Sequence, residues 1–369
     1  MSSCPDGPPH VSTRKNYIDW ARGLAVLIMI EAHVLDSWTL RSARGSYAFG
    51  YLNLLGGFAA PLFLWLAGLG LVLSAERALL RTGDRGTAAS GVLRRGFEIL
   101  LLAFLFRLQA FIVSPGNPPV SLLRVDILNI MGPAVMGAAI VWRLAQGSRS
   151  AALLSGAVAT AIAMVTPVAR TAPALGLLPS ALQWYVSPDG NHSTFTLFPW
   201  AGFVFAGAAY GSLLIRADPR QEGRGLRRLA VAGALAVIGC YSAATFPSIY
   251  RASSFWTTSP TYFGIRVGLL MMALWGLFRL DALASTLPRS FRVLEQFGRN
   301  SLFVYWIHVE LVYGYATFPL HHRLPLWGTA LCYIAFCAAL YWAIALKDKV
   351  IAWWRSHPTS PSPLETLGT

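Results

Sequence analysis

The sequence contains little charge and few cysteines. Charged residues make up 12% of the 369 residues, which is about half the fraction found in an ordinary soluble domain. The four cysteines show neither a metal-ligand spacing nor a disulfide framework. A Walker loop, a dinucleotide-binding fingerprint, a G-x-S-x-G elbow and a metal-ligand set are also missing. The low charge argues against a soluble domain, and the absence of these motifs argues against the enzyme classes that they identify.

Hydrophobic residues, in contrast, make up 55% of the chain and fall in runs of about 17–22 residues, long enough to cross a bilayer. The pattern predicts an all-α polytopic integral membrane protein with about ten transmembrane helices in one bundle. The predicted spans are near 17–38, 48–73, 97–113, 127–143, 151–169, 194–215, 229–246, 263–280, 300–317 and 326–346.

The net charge of +14 is explained by membrane topology and not by nucleic-acid binding. If the N-terminus is cytoplasmic, most of the 30 Lys and Arg lie on the cytoplasmic side, as the positive-inside rule requires. An even number of spans then places both termini in the cytoplasm. The first residues lack the features of a signal sequence, so the first apolar run is predicted to be a retained span. A bacterial inner membrane is the expected location.

We find no internal repeat and no linker between domains. The sequence predicts a cytoplasmic tail over 1–16, one membrane domain over 17–346 and a second cytoplasmic tail over 347–369. Three loops are predicted to be long: 76–96 inside, and 171–193 and 247–262 outside. Aromatic residues in the two outer loops fit either an interfacial belt or a surface that stacks on a sugar ring.

The first predicted span carries five ionisable residues: Asp19, Arg22, Glu31, His33 and Asp36. On a helix, Arg22 and His33 lie about 16 Å apart along the axis and share one stripe with Asp19 and Asp36. Asp19 can pair with Arg22 across one turn, whereas Glu31 points to the opposite side. A purely structural explanation is that the terminal charges snorkel and that His33 bonds a neighbouring helix. Ionisable groups within a membrane are nevertheless functional candidates.

These residue types fit acyl transfer across a membrane. A histidine such as His33 can take a proton from a hydroxyl or amine as it attacks an acyl carbon, and Asp36 can orient the ring. Arg22, nearer the cytoplasm, suits a phosphate-bearing donor. The main rival is a transporter of a small polar substrate or saccharide that uses the buried charges. A helical scaffold without chemistry is a third possibility.

Several stretches resemble a known family. "YIDWARGLAVLIMIEAH" resembles the opening of the heparan-α-glucosaminide N-acetyltransferase family and its bacterial relatives. The R-x10-H spacing from Arg22 to His33 is similar to that of membrane O-acyltransferases that modify bacterial surface polysaccharides. The stretches "APLFLWLAGLGLVLS", "LLRVDILNIMGPAVMGAA", "FPWAGFVFAGAAYG" and "FGRNSLFVYWIHVEL" follow in the same order.

The resemblance implies a transmembrane acyltransferase domain that moves an acetyl or short acyl group from cytoplasmic acyl-CoA, such as acetyl-CoA, to an extracytoplasmic sugar hydroxyl or amine. It implies that Arg22 and His33 are the essential pair, and it points to Asp126, Asn129 and His308 as site residues. The heparan branch has asparagine in place of His33 and a histidine in the first outward loop. That loop has no histidine here, so the chain sides with the R-x10-H branch.

Two further residues are candidates for substrate contact. Arg107 could bind a donor phosphate or carbonyl, or else pair with Glu98 or Glu31. His192 could contact the acceptor or be simply exposed, and His308 could instead make a structural hydrogen bond. We expect acyl-CoA, a glycan acceptor and the lipid bilayer as partners, without nucleic acid, metal or a bound cofactor, and leave open a homodimer.

Overall fold

The computed structural model describes residues 15–113, 118–215, 221–284 and 292–356. Helices dominate this part of the chain, and its only β-type pairings are two isolated bridges. Most of the predicted tail 1–16, and residues 357–369 of the other predicted tail, lie outside the described residues. The helices are α1 Asn16–Trp38, α2 Tyr47–Gly56, α3 Ala59–Thr82, α4 Arg85–Val113, α5 Ile127–Leu144, α6 Ser148–Ala169, α7 Ser180–Gln183, α8 Leu197–Ile215, α9 Glu222–Ala244, α10 Pro260–Ala284, α11 Arg292–Arg299, α12 Ser301–Tyr313 and α13 Leu326–Ser356.

The prediction of an all-α polytopic membrane protein is confirmed. Within the described ranges, eight helical stretches are long and apolar enough to cross a membrane. Helix α1 has a comparable length of 23 residues, but every stretch of 18 residues in it contains at least three charged residues, whereas each of the eight has such a stretch with no more than two. Helix α12 is apolar but has only 13 residues. The count of ten spans and the cytoplasmic location of both termini therefore stay predictions.

The predicted cytoplasmic loop 76–96 is wrong. Helix α3 continues to Thr82 and α4 begins at Arg85, so the turn is short and includes Gly83, whose φ of 67° is readily adopted by glycine. Helix α13 likewise runs to Ser356, beyond the predicted end of the last span. Arginine favours helix formation, so a basic segment that marks the end of a membrane span need not end the helix.

Helix α1 packs between several neighbours, including α3, α10, α11 and α12. Its crossing with α11 is tight because a glycine lies on each side. A Cβ added to Gly23 would overlap the backbone of Leu294, and one added to Gly298 would overlap the carbonyl of Asp19. Small residues permit this close approach of membrane helices. The crossing fixes the end of α1 that carries Arg22.

Candidate functional site

Three cavities follow one another along α1. The first, which we call the basic mouth, has a volume of about 390 Å³ and is lined by residues that include Lys15, Arg22 and Arg77. The second, the middle cavity, measures about 450 Å³ and is lined by Arg22, Arg95 and Arg299 among mainly apolar residues. The third, the histidine cavity, measures about 640 Å³ and is lined by His33 and several other polar residues.

The cavities share lining residues and so form a series. The basic mouth and the middle cavity both contact Arg22, Gly70 and Ser74. The middle cavity and the histidine cavity share four residues, which we call the waist: Met29, Phe63, Ile127 and Tyr305. The series therefore leads from the basic end of α1, past Arg22 and the waist, to His33.

Arg22 lies at the junction between the first two cavities. Its Nη1 is 3.5 Å from Oδ1 of Asp19, which confirms that the two side chains pair across one turn. A Cβ added to Gly70 would lie 3.0 Å from Nη2 of Arg22, so this glycine leaves space for the guanidinium. The basic side chains of the mouth and middle cavity create a positive environment, which suits an anionic ligand.

His33 lines the histidine cavity and is held from behind by His308. Its Nδ1 lies 2.8 Å from Nε2 of His308, and the two rings are nearly parallel. His308 is fully buried, and its Nδ1 is 2.8 Å from the carbonyl of Val304. The sequence suggests substrate contact or a structural hydrogen bond for His308, and its burial agrees with the second alternative.

Asp36 also lines the histidine cavity, but it is not the hydrogen-bond partner found for Nδ1 of His33. Its Oδ2 accepts a hydrogen bond of 3.1 Å from the hydroxyl of Tyr313, and its Oδ1 is 3.6 Å from Nη2 of Arg44. Asp36 is predicted to orient the ring of His33, but in this geometry His308 makes the contact with Nδ1 of that ring. Asp36 remains a charged group in the wall of the same cavity.

Arg107 and Asp126 form an ion pair in the wall of the histidine cavity. Both side chains are largely buried, and the partner of Arg107 is neither Glu98 nor Glu31. Asn129 acts locally, because its Oδ1 accepts a hydrogen bond from the backbone N–H of Asp126 at 3.0 Å. This contact holds the start of α5, so Asn129 supports the placement of Asp126.

Glu31 faces away from the histidine cavity, as its helical position predicts. Its Oε2 would lie 3.3 Å from a Cβ added to Gly56. Both carboxylate oxygens are buried, without a hydrogen-bond partner in the described part of the chain. Glu31 is not among the residues that line the three cavities.

His192 lies in the loop 171–193, which is predicted to be outward and which packs on itself. Its ring stacks on Trp184 with 4.3 Å between centroids, and its Nδ1–H donates to Oδ2 of Asp189 at 2.9 Å. This hydrogen bond, followed by one from a backbone N–H, holds the pKa of Asp189 below its usual value. The loop meets α5 where the backbone N–H of Val125 donates to the carbonyl of His192. His192 thus supports a loop beside the cavity.

The structure adds cavity residues that the sequence analysis did not assign to the site. Tyr305, Val309 and Tyr313 line the histidine cavity at intervals of four residues along α12. This spacing, on the same helix as His308, is the signal that could have found them. Arg124 also lines the cavity. Among described residues, no group of three or more His, Cys, Asp or Glu is arranged to hold a metal ion.

Comparison with known families gives a match that spans most of the chain. Residues 14–248 match the family model described as heparan-alpha-glucosaminide N-acetyltransferase, catalytic. A comparison with curated proteins finds none that matches. The matched segment contains Arg22, His33, Arg107 and Asp126, while His308 lies beyond it. The chain therefore belongs to the heparan-alpha-glucosaminide N-acetyltransferase catalytic family of membrane acetyltransferases.

Proposed function

We propose that the protein transfers an acetyl or short acyl group from cytoplasmic acyl-CoA to a hydroxyl or amine of a sugar on the opposite side of the membrane. The observation that carries this proposal is the series of cavities along α1, with Arg22 near one end and His33 at the other. An anionic donor and an uncharged or polar acceptor can approach the two ends of such a series separately.

The donor end suits coenzyme A by charge and by length. Phosphate groups match the basic side chains of Lys15, Arg22 and Arg77 in the mouth. Arg22 and His33 are about 16 Å apart along α1. The pantetheine arm has the length of four extended residues, roughly 14 Å. With its phosphates at Arg22, CoA can place the thioester near His33, and the apolar waist surrounds the arm.

At the other end, His33 is the proposed general base. It takes the proton of the acceptor hydroxyl or amine while the acceptor oxygen or nitrogen attacks the thioester carbonyl carbon. The new C–O or C–N bond forms and the C–S bond breaks. His33 then returns the proton to the sulfur, which leaves as free CoA. No net proton is gained or lost in transfer to a neutral acceptor.

The histidine cavity is the proposed acceptor site. Its volume of about 640 Å³ lies within the range of small-molecule pockets. Carboxylates such as Asp36 and Glu310 can accept hydrogen bonds from sugar hydroxyls, and Trp200 offers an aromatic face in the same wall. We propose that Arg107 and Asp126 shape this site through their ion pair. Glu31 and His192 have no assigned contact with either substrate.

The test is transfer of labelled acetyl from acetyl-CoA by the purified protein in sealed vesicles. Amino sugars and neutral glycans are supplied in separate samples, and both labelled product and free CoA are measured. Acceptor-dependent CoA release with labelled glycan supports the proposal. Accumulation of intact acetyl-CoA or saccharide inside the vesicles, without transfer, would instead show the transporter considered from the sequence. Donor supplied on either side of oriented vesicles tests the cytoplasmic assignment.

A further inference from the structure

The contact between His33 and His308 fixes where the protons lie on the two rings. The carbonyl oxygen of Val304 can only accept a hydrogen bond. The Nδ1 of His308, 2.8 Å away, must therefore carry the proton of this bond. In a neutral imidazole only one nitrogen is protonated, so Nε2 of His308 is an acceptor.

The same argument then applies to His33. Its Nδ1 lies 2.8 Å from the acceptor Nε2 of His308, so Nδ1 of His33 is the donor. The remaining nitrogen, Nε2 of His33, is left with a free lone pair. A general base needs such a lone pair. The backbone carbonyl of Val304 thus selects, through His308, the basic tautomer of His33.

We infer that His308 is a positioning residue that holds His33 in the tautomer with Nδ1 protonated and Nε2 free to take the acceptor proton. The inference rests on the proposed function of His33 as the base. His33 lines the histidine cavity, whereas His308 is completely buried and acts through His33. This separation of roles follows the rule that a histidine's second nitrogen is set by the bond it makes behind the site.

The arrangement also stabilises the protonated base during transfer. When Nε2 of His33 takes the acceptor proton, Nδ1–H already donates to the neutral ring of His308. A hydrogen bond from a charged donor is stronger than one between neutral groups. The proton then leaves from Nε2 to the sulfur of CoA, and both rings return to their starting tautomers. Asp36, which accepts from Tyr313, supplies charge in the same wall but not this bond.

Nitrogen NMR of protein labelled at histidine tests the tautomer directly. The chain has seven histidines, and the signals of His33 and His308 are assigned by their loss in His33→Asn and His308→Asn. We expect both residues to show a protonated Nδ1 and an unprotonated Nε2. Free neutral histidine favours the opposite tautomer, so the signature is distinctive. A protonated Nε2 on neutral His33 would overturn the inference, whether or not transfer has been detected.

Two variants of His308 test the consequence for catalysis. Asparagine can keep the bond to Val304 but removes the acceptor near Nε2, whereas glutamine can place an amide oxygen near that position. We expect His308→Asn to lower kcat by about tenfold to a hundredfold, as loss of an orienting partner of a functional histidine does in metal sites. The KM for acetyl-CoA should stay unchanged, and His308→Gln should recover most of the loss.

The matched control is His322→Asn. His322 is exposed and has a φ of 56°, which asparagine tolerates better than most residues. Folding of each variant is checked by its melting temperature and elution volume. Folded His308→Asn with wild-type kcat would overturn the inference even if His33→Asn is inactive. If His33→Asn keeps full activity, His33 is not the base, and this part of the proposed function is wrong. If a variant does not fold, the tautomer measured by NMR on the wild-type protein decides the inference.

Discussion

Replacing His33 with asparagine separates the proposed chemistry from the packing of α1. The amide N–H of asparagine can still donate to Nε2 of His308, which His33 contacts at 2.8 Å. The lone pair on Nε2 of His33 is lost. An alanine would also leave the buried acceptor of His308 unpaired, at a cost of about 1–3 kcal/mol in stability. His33→Asn therefore removes the base with less damage to the fold.

The expected effect is on kcat. Loss of a general base lowers the rate by about 10²–10⁴-fold, or roughly 3–5 kcal/mol in the activation free energy. Arg22 lies about 16 Å away along α1. Substitutions separated by more than about 10 Å are usually independent, so the Kd for acetyl-CoA should be unchanged.

Acceptor-dependent CoA release gives kcat, and titration with a non-hydrolysable acetyl-CoA analogue gives the donor Kd. Melting temperature serves as the control for folding. Retention of more than about a tenth of wild-type transfer would refute the role of His33 as the base. Loss of donor binding together with transfer would also contradict the reasoning, because His33 would then hold the donor or the structure.

Three other predictions test the proposed donor end, the helix crossing and the loop 171–193. Arg22→Lys should raise the Kd for acetyl-CoA about tenfold to a hundredfold, because lysine lacks the planar guanidinium that binds phosphate through two hydrogen bonds. The control Arg94→Lys changes an exposed arginine and should bind acetyl-CoA with the wild-type Kd. Equal Kd values for the two variants in a titration would contradict a donor-binding role for Arg22. Gly298→Ala should lower the free energy of unfolding by about 1–3 kcal/mol, because the added Cβ would overlap the backbone of α1. The control Gly239→Ala has open space around the added Cβ and should leave the free energy of unfolding unchanged. Denaturant titration measures both values. The hydrogen bond from His192 lowers the pKa of Asp189 in the folded protein. The ionised Asp189 side chain therefore stabilises the fold above the usual aspartate pKa of about 3.9. This stabilisation is lost as the pH falls through the lower pKa of the folded state. The difference in melting temperature between wild type and Asp189→Asn should shrink accordingly, and a difference that grows with acidity would contradict the assignment.

The fold class and the pairing in α1 could be predicted because both depend on local spacing. Long apolar runs predict membrane helices, and a separation of three residues allows Asp19 to meet Arg22. The ends of helices were less predictable. Basic residues in 76–96 predict a loop, yet the helical backbone continues through most of this range because charge marks the membrane boundary and not the helix boundary.

The environment of His33 could not be predicted from local pattern. Its hydrogen-bond partner His308 is 275 positions away in the chain, and helical periodicity does not say which distant helix packs against α1. The nearer carboxylate of Asp36 is the natural choice from sequence. The partner of Arg107 could not be predicted for the same reason, because Arg107 lies in α4 and its partner Asp126 directly precedes α5. Pairing between helices is determined by packing of the whole bundle, and periodicity within one helix does not contain it.

The consecutive helices α11 and α12 contact α1 at both ends of the proposed reaction path. Gly298 packs against α1 beside Asp19 and Gly23, close to Arg22, and His308 contacts α1 at His33. Because α1 is one continuous helix, helix geometry sets the spacing between Arg22 and His33 at about 16 Å. The family match ends at residue 248, so the segment that holds both ends lies outside it. The proposed site therefore depends on both parts of the chain: the matched part supplies Arg22 and His33, and the later part fixes their position and the tautomer of the proposed base.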